Sequence, residues 1–185
     1  EQTIRDFAVA GLRQGRQEEA LKYAEQAYGM ARAVRDDQAA AAYNNDIGRI
    51  LAAMGDYSRS LEHHLQSLAY YTEVGNRLEA TATESLLAQA YLLKKDYPQA
   101  LRYARASMTE AGVLHRKPEL QGSARVLADI LAAKGDYRQA LQYFKLYKDY
   151  SDSLFNDQSR IQLLTRTAQY DYTQQASSLR EAQAR

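Results

Sequence analysis

Glu62, His63 and His64 stand side by side, and no other short segment of the chain so invites chemistry. Imidazoles beside a carboxylate can ligate a metal ion or carry a phosphoryl group. Adjacent side chains on a helix point about 100° apart, however, so the two rings do not converge on one ion as an i, i+4 pair would. His64 also shares a repeat column with Ala24, Ala104 and Phe144, which marks it as a packed side chain. The chain has no GxxxxGK[ST] phosphate loop, no HExxH and no GxSxG. Without cysteine it has no disulfide, thiolate zinc site or thiol nucleophile. Its many carboxylates read as exposed helix faces with i, i+4 partners. We read the chain as non-catalytic, with no cofactor and no metal.

The elements that carry these residues are helical. Of 185 residues, 45% are hydrophobic and 25% charged, and the two prolines are Pro98 and Pro118. Alanine, leucine, glutamine and arginine abound, and all of them suit helix interiors. Little of the chain alternates apolar and polar at the period of a half-buried strand, so the fold class is all-α. The formal net charge of +1 gives no drive toward phosphate backbones or anionic lipid, and no basic stripe marks a nucleic-acid interface. No apolar run nears the ~20 residues of a membrane helix. The first residue is Glu1 and no signal-peptide pattern follows, so the chain reads as a piece of something longer. Fifteen tyrosines supply bulk with a polar tip. Most, including the group Tyr137, Tyr143, Tyr147 and Tyr150, read as core or seam; Tyr70-Tyr71 and Tyr170-Tyr172 are candidates for a contact surface.

Self-similarity organises the chain. Gly55-Asp56-Tyr57-Ser58-Arg59-Ser60-Leu61 returns as Gly135-Asp136-Tyr137-Arg138-Gln139-Ala140-Leu141, with Lys95-Asp96-Tyr97-Pro98-Gln99-Ala100-Leu101 between and a degenerate copy from Gly15 to Leu21 upstream. The step is 40 residues throughout (15, 55, 95, 135) without an insertion. Phe7, Ile47, Leu87 and Leu127 form a large column, each followed by a small residue: Ala8, Gly48, Ala88 and Ala128. Ala20, Ser60, Ala100 and Ala140 form a second small column, and Ala27, Ser67 and Ser107 a third, which Tyr147 breaks. Small residues at fixed places on successive helices let backbones approach, and large ones fill the space around them. Gly55 suits the left-handed residue that closes a helix, Asp56 the cap of the next, and Pro98 a first turn. Turns between units fall near Arg35-Asp36-Asp37, Gly75-Asn76 and His115 to Pro118.

These columns resemble the tetratricopeptide repeat, with its large-small pair on the first helix and small residues on the second. The family's usual tryptophan is replaced by Ile4, Asn44, Glu84 and Ala124, the unit-ending proline is absent, and the unit exceeds the common 34 residues. Longer units of this kind resemble those of bacterial regulators and Rap-type peptide receptors. The resemblance implies a right-handed α-α superhelix of about four helix pairs plus a C-terminal capping helix. The repeats are 1–40, 41–80, 81–120 and 121–153, followed by a capping or linker helix over 154–185. Continuing the step places Leu164 and Ala168 in the columns of Ile4 and Ala8, so this segment is expected to act as one more first-type helix covering the open end.

The resemblance also implies a concave groove lined by the first helices. Its columns hold Arg5, Asn45, Ser85 and Arg125; Val9, Arg49, Gln89 and Asp129; and Leu12, Ala52, Leu92 and Ala132. The arginines could pair with a peptide's carboxylates. The lysine-asparagine pattern with which the family clamps a free C-terminus is not reproduced. The expected function is a protein- or peptide-binding scaffold, the sensory or interaction domain of a bacterial signal-transduction protein, in the periplasm or the cytoplasm. Alternatives are a stand-alone peptide receptor, and an assembly scaffold forming a homodimer through residues 151–185.

Overall fold

The computed structural model describes residues 16–183, with side chains through Thr167 and at Gln169. Arg5 and Val9 lie outside the described residues. Among the described residues seven helices follow one another: α1 Gln17–Ala33, α2 Asp37–Ala53, α3 Tyr57–Glu73, α4 Arg77–Leu93, α5 Tyr97–Val113, α6 Lys117–Ala133 and α7 Tyr137–Gln183. The first six have 17 residues each and are joined by three-residue turns, so the backbone repeats at half the sequence period. The described residues contain no strand.

The turns account for this regularity. Arg35, Gly55, Gly75, Lys95, His115 and Gly135 all take positive φ, between 53° and 85°. After each, the next N–H reaches back five residues, as Asp36 N to Ala31 O and Asp56 N to Leu51 O (both 2.9 Å). This is a Schellman closure, which satisfies carbonyls at the helix end. The residue that closes one helix also opens the next. The side chains of Asp36, Asp56, Asn76, Asp96 and Asp136 each accept the N–H three residues on, at 2.9–3.3 Å. One residue thus satisfies groups on two helices, which leaves the turn no slack. Pro98 and Pro118 sit in the first turns of α5 and α6, where a missing N–H costs little.

Every helix packs against its sequence neighbours, and in addition α2 touches α4 and α4 touches α6. Among the described residues no such next-but-one contact joins α1, α3, α5 and α7. A stack in which alternate helices meet on one side only is curved, with α2, α4 and α6 on the inside. It is an all-α helical-repeat solenoid. The outer helices bury a narrow seam of small residues, such as Ala20, Ala24, Ala27 and Ala31 on α1. Two of these seam residues make the same bond one repeat apart: Ser67 Oγ donates to Ala41 O (2.9 Å) and Ser107 Oγ to Thr81 O (3.1 Å).

The C-terminal segment departs from the expected arrangement. In place of a boundary at residue 153 and a separate capping helix, α7 runs unbroken for 47 residues. The physical reason lies at position 155, where the half-period calls for a residue with positive φ. Phe155 occupies it, an aromatic hydrocarbon ring where the six described turns have glycine, Arg35, Lys95 or His115, and the helix continues. Of the described helices α7 touches α6 alone, and Phe155, Ile161, Leu163 and Leu164 are exposed. The described part of this segment therefore does not cover its own open end.

Candidate functional site

The inner helices present their columns unequally. Arg49, Gln89 and Asp129, one from each inner helix, are exposed and form a row across the concave side. The column of Asn45, Ser85 and Arg125 behaves differently: Asn45 and Ser85 are 8% and 5% exposed, whereas Arg125 is open. These positions face the next inner helix, which covers the first two, and no helix follows α6 on the inside to cover the third. Asn45 Nδ2 donates to Thr83 Oγ1 of α4 at 2.8 Å, and a Cβ built on Gly122 of α6 would lie 2.8 Å from Ser85 Oγ. Both residues therefore join units together, and the open face narrows to Arg49, Gln89, Arg125 and Asp129.

Three of these four share a cleft of about 440 Å³, together with Leu92, Leu93, Pro118, Gln121 and Tyr147. Arg125 Nε donates to Asp129 Oδ2 (3.2 Å), its guanidinium lies over the Tyr147 ring (5.3 Å to the centroid), and Nη1 approaches the phenol oxygen at 3.5 Å. These bonds hold the guanidinium charged and raise its pKa, the Tyr147 bond first. Tyr147 breaks the small column of Ala27, Ser67 and Ser107, and here its bulk forms the wall of the cleft. The sequence carried that signal, an aromatic in a small column, without showing its direction. An exposed pair such as Arg125–Asp129 is worth about 0–1 kcal/mol, so a ligand carboxylate can replace the internal one at little expense. Arg49 is more committed, since its guanidinium lies 3.8 Å from the buried Asp46 carboxylate.

The histidine pair resolves into two separate contacts. His63 Nδ1 is 2.9 Å from Asn44 Oδ1, and His64 Nδ1 is 3.0 Å from Asn45 Oδ1. Asn45 spends its amide N–H on Thr83, so its oxygen accepts and His64 Nδ1 carries the proton of a neutral ring. Burial, then the charges of Arg49 and His63, lower the His64 pKa to about 3. Burial and Arg59 lower that of His63, against the pull of Glu25 and Glu62. His64 is 1% exposed and packs on Gly48, where a Cβ would lie 2.6 Å from the ring. Among the described residues no group of three or more His, Cys, Asp or Glu side chains could hold a metal ion. No described helix is long and apolar enough to cross a membrane.

A curved stack of helix pairs with an open inner row is a helical-repeat scaffold. Residues 38–109, which span α2 to most of α5, match the family model described as tetratricopeptide repeat. No curated protein matches the chain. Among solved structures it is similar to BtubC (BKLC) from P. vanneervenii, at 16% identity and a TM-score of 0.69, covering 82% of this chain. The chain spans 63% of the length of that protein. It is also similar to the apo form of RapI, at 14% identity and a TM-score of 0.56, covering 80% of this chain and 67% of that one. At these identities the likeness establishes the fold.

Proposed function

We propose that the chain is a non-catalytic scaffold that holds a protein or an extended peptide along its inner face. We further propose that it serves as the sensory or interaction domain of a bacterial signal-transduction protein. Tetratricopeptide scaffolds in general bind protein or peptide partners, and that is the level at which the repeats speak. The observation that carries the reading is the open row Arg49, Gln89 and Asp129 running into the Arg125–Tyr147 cleft. The row is polar and the cleft has an aromatic and aliphatic wall, a combination that suits a peptide bearing acidic and apolar side chains. Self-association through residues 151–185 belongs to the same reading, motivated by the apolar side chains exposed there.

The test begins with peptides selected from a random displayed library against the intact chain. Their affinity is then compared for the wild type and for Gln89→Glu/Arg125→Glu, both at exposed positions that leave the core untouched. We expect at least a tenfold loss for acidic peptides, about 1.4 kcal/mol. Equal affinity would place the binding surface elsewhere. The stand-alone receptor is the second reading. It and the signalling domain separate on whether crosslinking the first repeat to the last alters output from the full-length protein.

A further inference from the structure

The solenoid makes one interface three times over. An outer helix packs against the inner helix that follows it: α1 on α2, α3 on α4, α5 on α6. Leu21 packs with Ile47 and Leu51 across the first of these, and Leu61 and Leu101 share a core cluster with Leu87 and Leu127 across the others. The fourth copy of that outer surface, on α7, is bare. Leu141 is 54% exposed and Phe144 49%, although Ala24, His64 and Ala104 in the Phe144 column are at most 2% exposed. Part of the matching inner-helix surface exists in the same chain. Ile161, Leu163 and Leu164 stand one 40-residue step beyond Gln121, Ser123 and Ala124, and Asn156 falls in the N-cap column of Asp36, Asp56, Asn76, Asp96 and Asp136. Leu163 and Leu164 are apolar and exposed where Ser123 and Ala124 are buried. An apolar outer face and an apolar stretch of the inner-helix register are thus present, with Thr167 and Asp171 continuing the columns of Ile47 and Leu51, and the unbroken α7 carries the second away from the first.

We propose that two copies of the chain exchange these halves, with residues 157–173 of each taking the place of the next inner helix after α6 on the open end of the other. Outer and following inner helices run antiparallel, so two straight α7 helices would cross with Phe155 beside Phe155 at a twofold axis. Each then covers the other's Leu141 and Phe144. Exchange of an identical element across a hinge is an established route to closed dimers, and here the contact continues an interface already used three times within the chain. The proposal rests on the self-association reading and is independent of the groove.

Within the chain Ala31 of α1 and Ala40 of α2 lie in one core cluster across the turn at residue 35, and the equivalent pair across position 155 is Ser151 and Arg160. The chain has no cysteine, so single-site variants label cleanly. The experiment mixes Ser151→Cys chains with Arg160→Cys chains under mild oxidation and follows the wild type by sedimentation equilibrium. Exchange predicts a wild-type dimer and a heterodisulfide at least tenfold more abundant than either homodisulfide. A dimer in which each variant bonds to itself would mean parallel pairing of α7; self-association would stand and exchange would fall. A monomer would overturn both, whether α7 stays straight or folds back on its own chain.

Discussion

At the scale of single residues, the repeat columns act as complementary pairs. Gly48 and His64 replace the small-small pair that Ala88 and Ala104 form one unit later, so the ring fills the space the missing methyl leaves. Gly48→Ala alone should therefore destabilise the fold by about 1–3 kcal/mol through overpacking. The double variant with His64→Ala should recover most of that loss in a urea-unfolding cycle; simple additivity would mean that the two do not share the space. Burial of a neutral imidazole also sets a pH dependence. The folded His64 pKa, about 3, lies below the ordinary value of 6.5, so below pH 6.5 the unfolded chain takes up a proton the native chain refuses. Stability from this group is present above 6.5 and falls as the pH drops toward 3. The loss between pH 7 and pH 5 should be about 2 kcal/mol. Urea midpoints at the two pH values, for wild type and His64→Ala, check this. Equal pH slopes in both proteins would contradict it. The packed role of His64 was legible in the sequence because its column is otherwise alanine or phenylalanine. Its bond to Asn45 was not, since one repeat period does not say which face of a column the next unit covers.

At the scale of elements, the turns carry the regularity. Lys95 holds a φ of 65° at a position where Gly55 and Gly135 stand in the neighbouring repeats. Lys95→Gly should stabilise the chain by up to about 1 kcal/mol, and Gly55→Ala should cost a similar amount. Thermal unfolding of the two variants gives the comparison; a destabilised Lys95→Gly would show that the turn is unstrained. The caps Asp56, Asp96 and Asp136, with Gly55 and Gly135 beside the first and last, made the 40-residue period plain. The 20-residue half-period was harder to see, because Arg35, Lys95 and His115 occupy the left-handed position without the glycine that announces it. The same blind spot explains the C-terminal helix. Its continuation through Phe155 follows from a rule about that position which emerges once all six turns are lined up. Phe155→Gly should restore a turn there and move the sedimentation profile toward monomer; an unchanged profile would remove Phe155 as the reason α7 stays straight.

For the molecule as a whole, curvature decides what can bind. Inner helices that touch one another and outer helices that do not leave a concave side on which Arg49, Gln89 and Asp129 line up. The columns were readable from sequence by family resemblance, yet two of the three members of the Asn45–Ser85–Arg125 column lie buried between units and only its last member is surface. That difference arises from where the inner stack ends, a property of no single repeat. Because each unit leans only on its neighbours, a ligand spanning several inner helices can alter the bend of the array and so the direction in which α7 leaves it. The most direct measurement is an amide chemical-shift map of the isotopically labelled chain titrated with a library-selected peptide. Binding along the inner face predicts the largest changes at Arg49, Gln89, Arg125 and Asp129, with α1, α3 and α5 nearly still. Changes concentrated on those outer helices, with the inner row silent, would contradict it.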